Sequence, residues 1–167
     1  MSGLIESLMY EVSNIFLLPV LIIILALFFY SIFQIGVFAM QSYVRKKHTF
    51  NKEKGYIVLN YAEYENITNS DDLELFAFSK LETISIATRI APMLGLVATM
   101  IPMGPAFKAL SDGNIAGVSE NLIVAFSAVI FSLISASITY WITAVRKRWY
   151  AGEIREYMQR FEDETTK

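Results

Sequence analysis

Apolar residues along this chain fall into three long blocks, and the charges are confined to the segments between them. No charged side chain occurs from Val12 to Val44, from Ile90 to Phe107, or from Asn121 to Val145, runs of 33, 18 and 25 residues. A helix of about 18–20 apolar residues crosses the hydrocarbon core of a bilayer. The pattern therefore predicts an all-α integral membrane protein with three transmembrane helices, over residues 15–42, 83–107 and 119–145. Residues 1–14 and 108–118 become an N-terminal segment and a tight turn on one side. Residues 43–82 and 146–167 become a helical segment and a helical tail on the other.

Spacing predicts that spans two and three extend beyond the membrane. Ser70 followed by Asp71 and Asp72 reads as a helix start, a cap and then two carboxylates favoured by the helix dipole. From there Leu73, Phe76, Leu81 and Ile84 mark an apolar face, so one helix is expected from Asp71 to Phe107. In the third span Ile142, Val145, Trp149, Ile154, Tyr157 and Phe161 continue at helical spacing past Arg146, Lys147 and Arg148. That stripe predicts packing against the 71–82 helix, a neighbouring subunit, or both. Lys54-Gly55 and the run Asn66 to Ser70 read as breaks, and Ser111-Asp112-Gly113-Asn114 as the turn of an antiparallel hairpin. Pro19 is placed in the first turn of span one.

Composition agrees with a membrane setting: 54% of residues are hydrophobic and only 18% charged. Glu6 and Glu11 before a long apolar core argue against a cleaved signal peptide. Orientation follows from the basic residues. Of 14 Lys and Arg, all but Lys108 lie within Arg45–Arg89 or Arg146–Lys167. The positive-inside rule then puts the N-terminus outside and both polar segments in the cytoplasm. Arg45, Lys46, Lys47, Arg89, Arg146, Lys147 and Arg148 are the expected membrane-boundary cations, with stems in apolar surroundings and heads at the lipid surface. Membrane lipid is a partner on this reading; nucleic acid is not. The absence of cysteine leaves no thiol chemistry.

The middle block, Ala91-Pro-Met-Leu-Gly-Leu-Val-Ala-Thr-Met-Ile-Pro-Met-Gly-Pro-Ala-Phe107, holds three of the four prolines. Proline deletes a helix donor, and glycine costs backbone entropy. Breakers at membrane depth are tolerated where protein or water, not lipid, meets the freed groups. Ala87, Ala91, Gly95 and Thr99 recur every four residues, as do Ala128, Ser132 and Ala136, with Ser135 and Thr139 beside them. Such stripes let helices approach closely in lipid. Thr99 is the only hydroxyl between Thr88 and Ser111, and Pro102 frees the carbonyl of Ala98 beside it. A threonine can also satisfy itself on the carbonyl one turn back, a silent role. Glu120 is the one acid inside the three predicted spans, close to the external end of the third. At mid-span it would cost about 2.5–3.5 kcal/mol, so it reads as an ion-path candidate or as a first-turn acid after Ser119. No HExxH, phosphate loop or paired catalytic carboxylates occur, so an enzyme, a metal site and a cofactor are not expected.

Ile90-Ala-Pro-Met-Leu-Gly-Leu-Val-Ala-Thr-Met100, followed after a turn by Ser119-Glu-Asn-Leu122, resembles the MotA/TolQ/ExbB proton-channel family. The family pattern in span two is close to A-P-L-L-G-L-L-G-T-V. Ala91, Pro92, Leu94, Gly95, Leu96 and Thr99 match it, and Ala98 replaces the second glycine; the resemblance covers roughly Asp72 to Tyr140. It implies a homopentamer in the plasma (inner) membrane around the transmembrane helices of a single-span ExbD/TolR/MotB-like partner. An aspartate on that partner would carry the proton, with Thr99 lining the channel. The position of the family's second threonine falls at Ala125, which has no hydroxyl. Ser127 lies two positions on, about 200° around the helix, and either Ser127 or Ser132 is left to supply a polar contact. Ala128 and Ile134 stand where the family's span-three glycine and proline are found. Two readings follow: a channel subunit driven by the proton motive force, or a non-conducting scaffold that holds a partner.

Overall fold

The computed structural model describes the backbone of residues 2–46, 55–65, 67 and 69–165, and side chains from Ile15 to Asp163 within those limits. Four helices are seen among them and no strand: α1 (Ser2–Lys46), α2 (Ile57–Glu65), α3 (Ser70–Ser111) and α4 (Ile115–Thr165). α1, α3 and α4 are each long and apolar enough to cross a membrane. At 1.5 Å per residue the 42 residues of α3 reach about 63 Å and the 51 of α4 about 77 Å. Both exceed the roughly 30 Å of hydrocarbon, so each continues past a bilayer as the spacing predicts.

The helix ends correct the sequence reading in three places. Pro19 lies inside α1, because that helix begins at Ser2 rather than near the start of the span. The cap of α3 is Asn69, not Ser70: its side-chain carbonyl accepts from the Asp71 amide at 3.1 Å. α4 begins at Ile115, four residues before Ser119, and is capped by Asn114, whose Oδ1 accepts from the Gly117 amide at 3.0 Å. Ser119 instead donates to the Ile115 carbonyl at 3.1 Å, as an interior helix hydroxyl does. Glu120 therefore sits in the second turn, exposed, where the helix dipole acts more weakly.

The hairpin turn is shorter than residues 108–118. α3 stops because Gly113 takes φ +70°, the left-handed conformation that costs glycine least. The Gly113 amide donates to Leu110 at 3.1 Å and the Asn114 amide to Ala109 at 2.8 Å, the paired bonds of a Schellman ending. Asn114 thus closes one helix with its backbone and opens the next with its side chain.

The chain forms two compact units. The first joins α1 up to Ile32 with Ala87–Ile138. Its core is Val20 and Ile24 of α1, Ala98 of α3 and Ala128 of α4, with Leu21 and Leu94 packed on them. Phe28 meets Phe131 edge-on at 5.0 Å. Its outer surface carries Ile22, Phe29, Met93, Met100, Ile123 and Phe126, all more than half exposed. In water that surface would aggregate; in a bilayer it faces lipid or other helices. The second unit joins Phe33–Ile86 with α4 from Thr139 onward. Here Val58, Leu59 and Ala62 of α2, Leu73, Leu81 and Ile84 of α3, and Ile142 and Tyr150 of α4 are buried. Tyr61 stacks on Phe76 with centroids 3.8 Å apart, which fixes α2 against α3.

Candidate functional site

Within the first unit the small residues of α3 form its buried face. Ala91, Ala98 and Ala106 are nearly inaccessible, and Gly95 and Pro102 lie among them. Opposite stand Ala125, Ala128, Ser132 and Ala136 of α4, also buried. The approach is closest at Gly95. A Cβ built there would lie 2.2 Å from Ser132 Oγ, 3.0 Å from Ser132 Cβ and 3.7 Å from Val129 Cα. Only glycine allows the two helices to come this near. Gly95 and Pro102 are thus turned toward protein, whereas Gly104 is exposed.

Thr99 stands at the margin of that face, half-buried. Its Oγ1 donates to the Leu96 carbonyl at 2.7 Å, so its proton is used within the helix and its lone pairs remain as an acceptor. Pro102 has no amide with which to serve the Ala98 carbonyl one turn earlier. Ala98 itself has no exposed surface within the core, so the Thr99 hydroxyl is the polar group this margin of α3 presents. The hydroxyls of Ser135, Ser137 and Thr143 on α4 each donate to a carbonyl four residues back, at 2.7–2.8 Å.

The other ion-path candidates are not gathered at one place. Ala125 and Ser132 lie seven residues apart on the buried side of α4, 3% and 1% exposed. Ser132 Oγ has no hydrogen-bond partner and looks onto Gly95 of its own chain. Ser127 and Glu120, also seven apart, share a different side, half-buried and exposed respectively. Ser132 is thus an inward group of the subunit, whereas Ser127 and Glu120 are presented outward.

The seven cations expected at the membrane boundary divide in two. Lys46, Arg89, Lys147 and Arg148 are exposed, and Lys47 lies outside the described residues. Arg45 and Arg146 instead point into the second unit. Arg45 pairs with Glu153, donates from Nε to the Gly55 carbonyl at 2.6 Å, and rests on the rings of Tyr56 and Trp149 at 4.6 and 4.5 Å. Burial pulls its pKa below the ordinary arginine value, partly offset by the nearby Tyr56 and Tyr150 hydroxyls. Glu153 is 2% exposed, and its Oε2 also accepts from the amides of Val58 and Leu59 at 2.8 and 3.2 Å. One carboxylate thereby satisfies a cation and the open amides at the start of α2. Arg146, 8% exposed, donates to Gln34 Oε1 at 3.3 Å. A positive-inside argument counts charges near the membrane but does not say which of them are spent inside the protein.

The apolar stripe of α4 led past Glu153, and Gln34, inside the charge-free run of α1, was not singled out either. A signal for Glu153 existed. Ala125, Ser132, Thr139, Arg146 and Glu153 recur at intervals of seven and all are buried, a seam of small and polar residues along one side of the helix.

A profile of the MotA/TolQ/ExbB proton channel family matches residues 64–160, more than half of the 167-residue chain. The chain belongs to this family. The match takes in all of α3 and most of α4, the pair that carries Gly95, Thr99 and Ser132. No curated relative and no solved structure matches the chain. As a multi-pass membrane protein of the MotA/TolQ/ExbB family, it has Ala91 and Gly95 of span two on the buried face of α3, with Gly95 against Ser132 of α4, whereas Leu96 points outward.

Proposed function

We propose that the chain is a subunit of an ion channel driven by the proton motive force. In this reading several copies, five by resemblance, form a ring in the plasma (inner) membrane around the transmembrane helices of a single-span partner. The N-terminus lies outside and the C-terminus in the cytoplasm. The chain is a conducting and force-transmitting element, not an enzyme, and it uses no cofactor. Family membership carries the class. The observation that supports conduction is the Thr99 spot: a half-buried hydroxyl at the margin of the α3–α4 contact, within the charge-free run 90–107. With no titratable group at that depth in this chain, the proton carrier comes from the partner. One charge moved through 100 mV yields about 2.3 kcal/mol, enough to bias a modest rearrangement at each step.

Proton flux into vesicles tests this, with and without the partner and with Thr99→Ala. Flux that needs the partner and falls in Thr99→Ala supports the reading. Equal flux in wild type and variant removes Thr99 from the path.

A second reading rests on Ala125. It is 3% exposed and has no hydroxyl, so α4 lacks the family's second polar group at that position. A non-conducting scaffold would keep the same ring and partner. Full biological function under an uncoupler would select it over the channel.

A further inference from the structure

The second unit exposes a matched pair of surfaces on its two flanks. Between α3 and α4 lies a groove of about 450 Å³ walled by Phe78, Leu81 and Ile154, with Lys147 and Arg155 on the α4 side and Glu74 on the α3 side. Its surface is predominantly apolar, although this part of the chain carries charges at both margins and lies outside the charge-free runs 90–107 and 121–145. On the other flank, the last turn of α2 reads Glu63-Tyr64-Glu65, and all three side chains are exposed, Tyr64 to 84%.

α3 separates the two. Residues 74, 77, 78 and 81 border the groove, and residues 72, 75, 76 and 79 border the α2 side. These are parallel stripes displaced by two residues, about 200° of helix rotation, so they occupy nearly opposite flanks. A subunit cannot fold the α2 end back into its own groove across α3, but a second copy can present it. Contact between two different flanks of identical chains is heterologous, the type that closes into rings.

We infer that the Glu63-Tyr64-Glu65 end of α2 from one copy docks in the α3–α4 groove of the next, with the Tyr64 ring against Phe78, Leu81 and Ile154 and the two carboxylates facing Lys147 and Arg155. The charges match: two acids on the knob, and two bases against one acid at the groove. An aromatic anchor entering an apolar pocket ringed by complementary charge is the pattern of strong interface contacts. This rests on the ring reading above and names the surfaces through which the copies meet outside the spans.

The chain has no cysteine, so crosslinking needs no background substitutions. The full-length protein carrying Tyr64→Cys and Ala151→Cys is oxidised in its own membranes, and the detergent-extracted assembly is weighed by native mass spectrometry. Ala151 is an exposed residue of the groove. The double variant should give a ladder of covalent multimers, and a mixture of the two single variants should stop at the dimer. Lys147→Glu with Arg155→Glu should cut crosslinking by about tenfold or more, with recovery on adding Glu63→Lys and Glu65→Lys. An oligomeric mass without 64–151 crosslinks overturns the docking and leaves the ring standing. A monomeric mass overturns both.

Discussion

At the scale of single residues, Gly95 and Ser132 set the distance between the two helices that carry the site. Gly95→Ala puts a methyl group where Ser132 Oγ now lies, and Ser132 Cβ, at 3.0 Å, leaves little room to yield. Overpacking of this kind costs about 1–3 kcal/mol. A lower thermal midpoint in detergent is expected, with partial recovery in Gly95→Ala/Ser132→Ala. Ser132→Ala alone should be neutral or mildly stabilising, because it removes a buried hydroxyl that has no partner. Thr99→Ala should behave differently. Its hydroxyl is half-buried and bonded within its own helix, so the thermal midpoint should stay within error while flux drops. A variant that lost both together would show Thr99 to be structural.

At the scale of elements, a single buried carboxylate ties the start of α2 to α1 and α4. Glu153→Ala would strand the Arg45 guanidinium and open the amides of Val58 and Leu59. Removing one partner of a buried pair costs about 3–5 kcal/mol. Hydrogen exchange should accelerate at Val58 and Leu59 before it changes at Ala98 or Ala128. Glu153→Gln, which keeps an acceptor but loses the charge, should fall between. The three spans and their extensions were legible in the sequence because charge-free runs and helical spacing report directly on burial from water. Caps were less legible. Asn69 and Asn114 do what Ser70 and Ser119 were expected to do, since several neighbouring residues can cap and backbone geometry chooses among them. Arg45 and Arg146 also escaped a reading by composition, because their partners Glu153 and Gln34 are more than a hundred residues away in each case.

At the scale of the whole molecule, the close helix contact at Gly95 was readable from the four-residue spacing of small side chains. The grouping of the ion-path candidates was not. One sequence gives a helical register, yet which side of α4 meets α3 depends on packing along the whole interface. That packing takes Ser132 inward and leaves Ser127 outward. The predicted orientation is checked by labelling Asp112→Cys with an impermeant thiol reagent, which should react from outside the cell only. The account as a whole depends on the Thr99 margin of α3 facing a protein-lined or wet axis in the assembled complex. The most direct measurement places a single cysteine there, as Thr99→Cys, in membranes containing the partner. It compares reaction with a small aqueous thiol reagent against quenching of an attached fluorophore by brominated lipid. Ready labelling from water with little lipid quenching is the result predicted. A thiol inert to the aqueous reagent, with its fluorophore strongly quenched by lipid, would contradict the account.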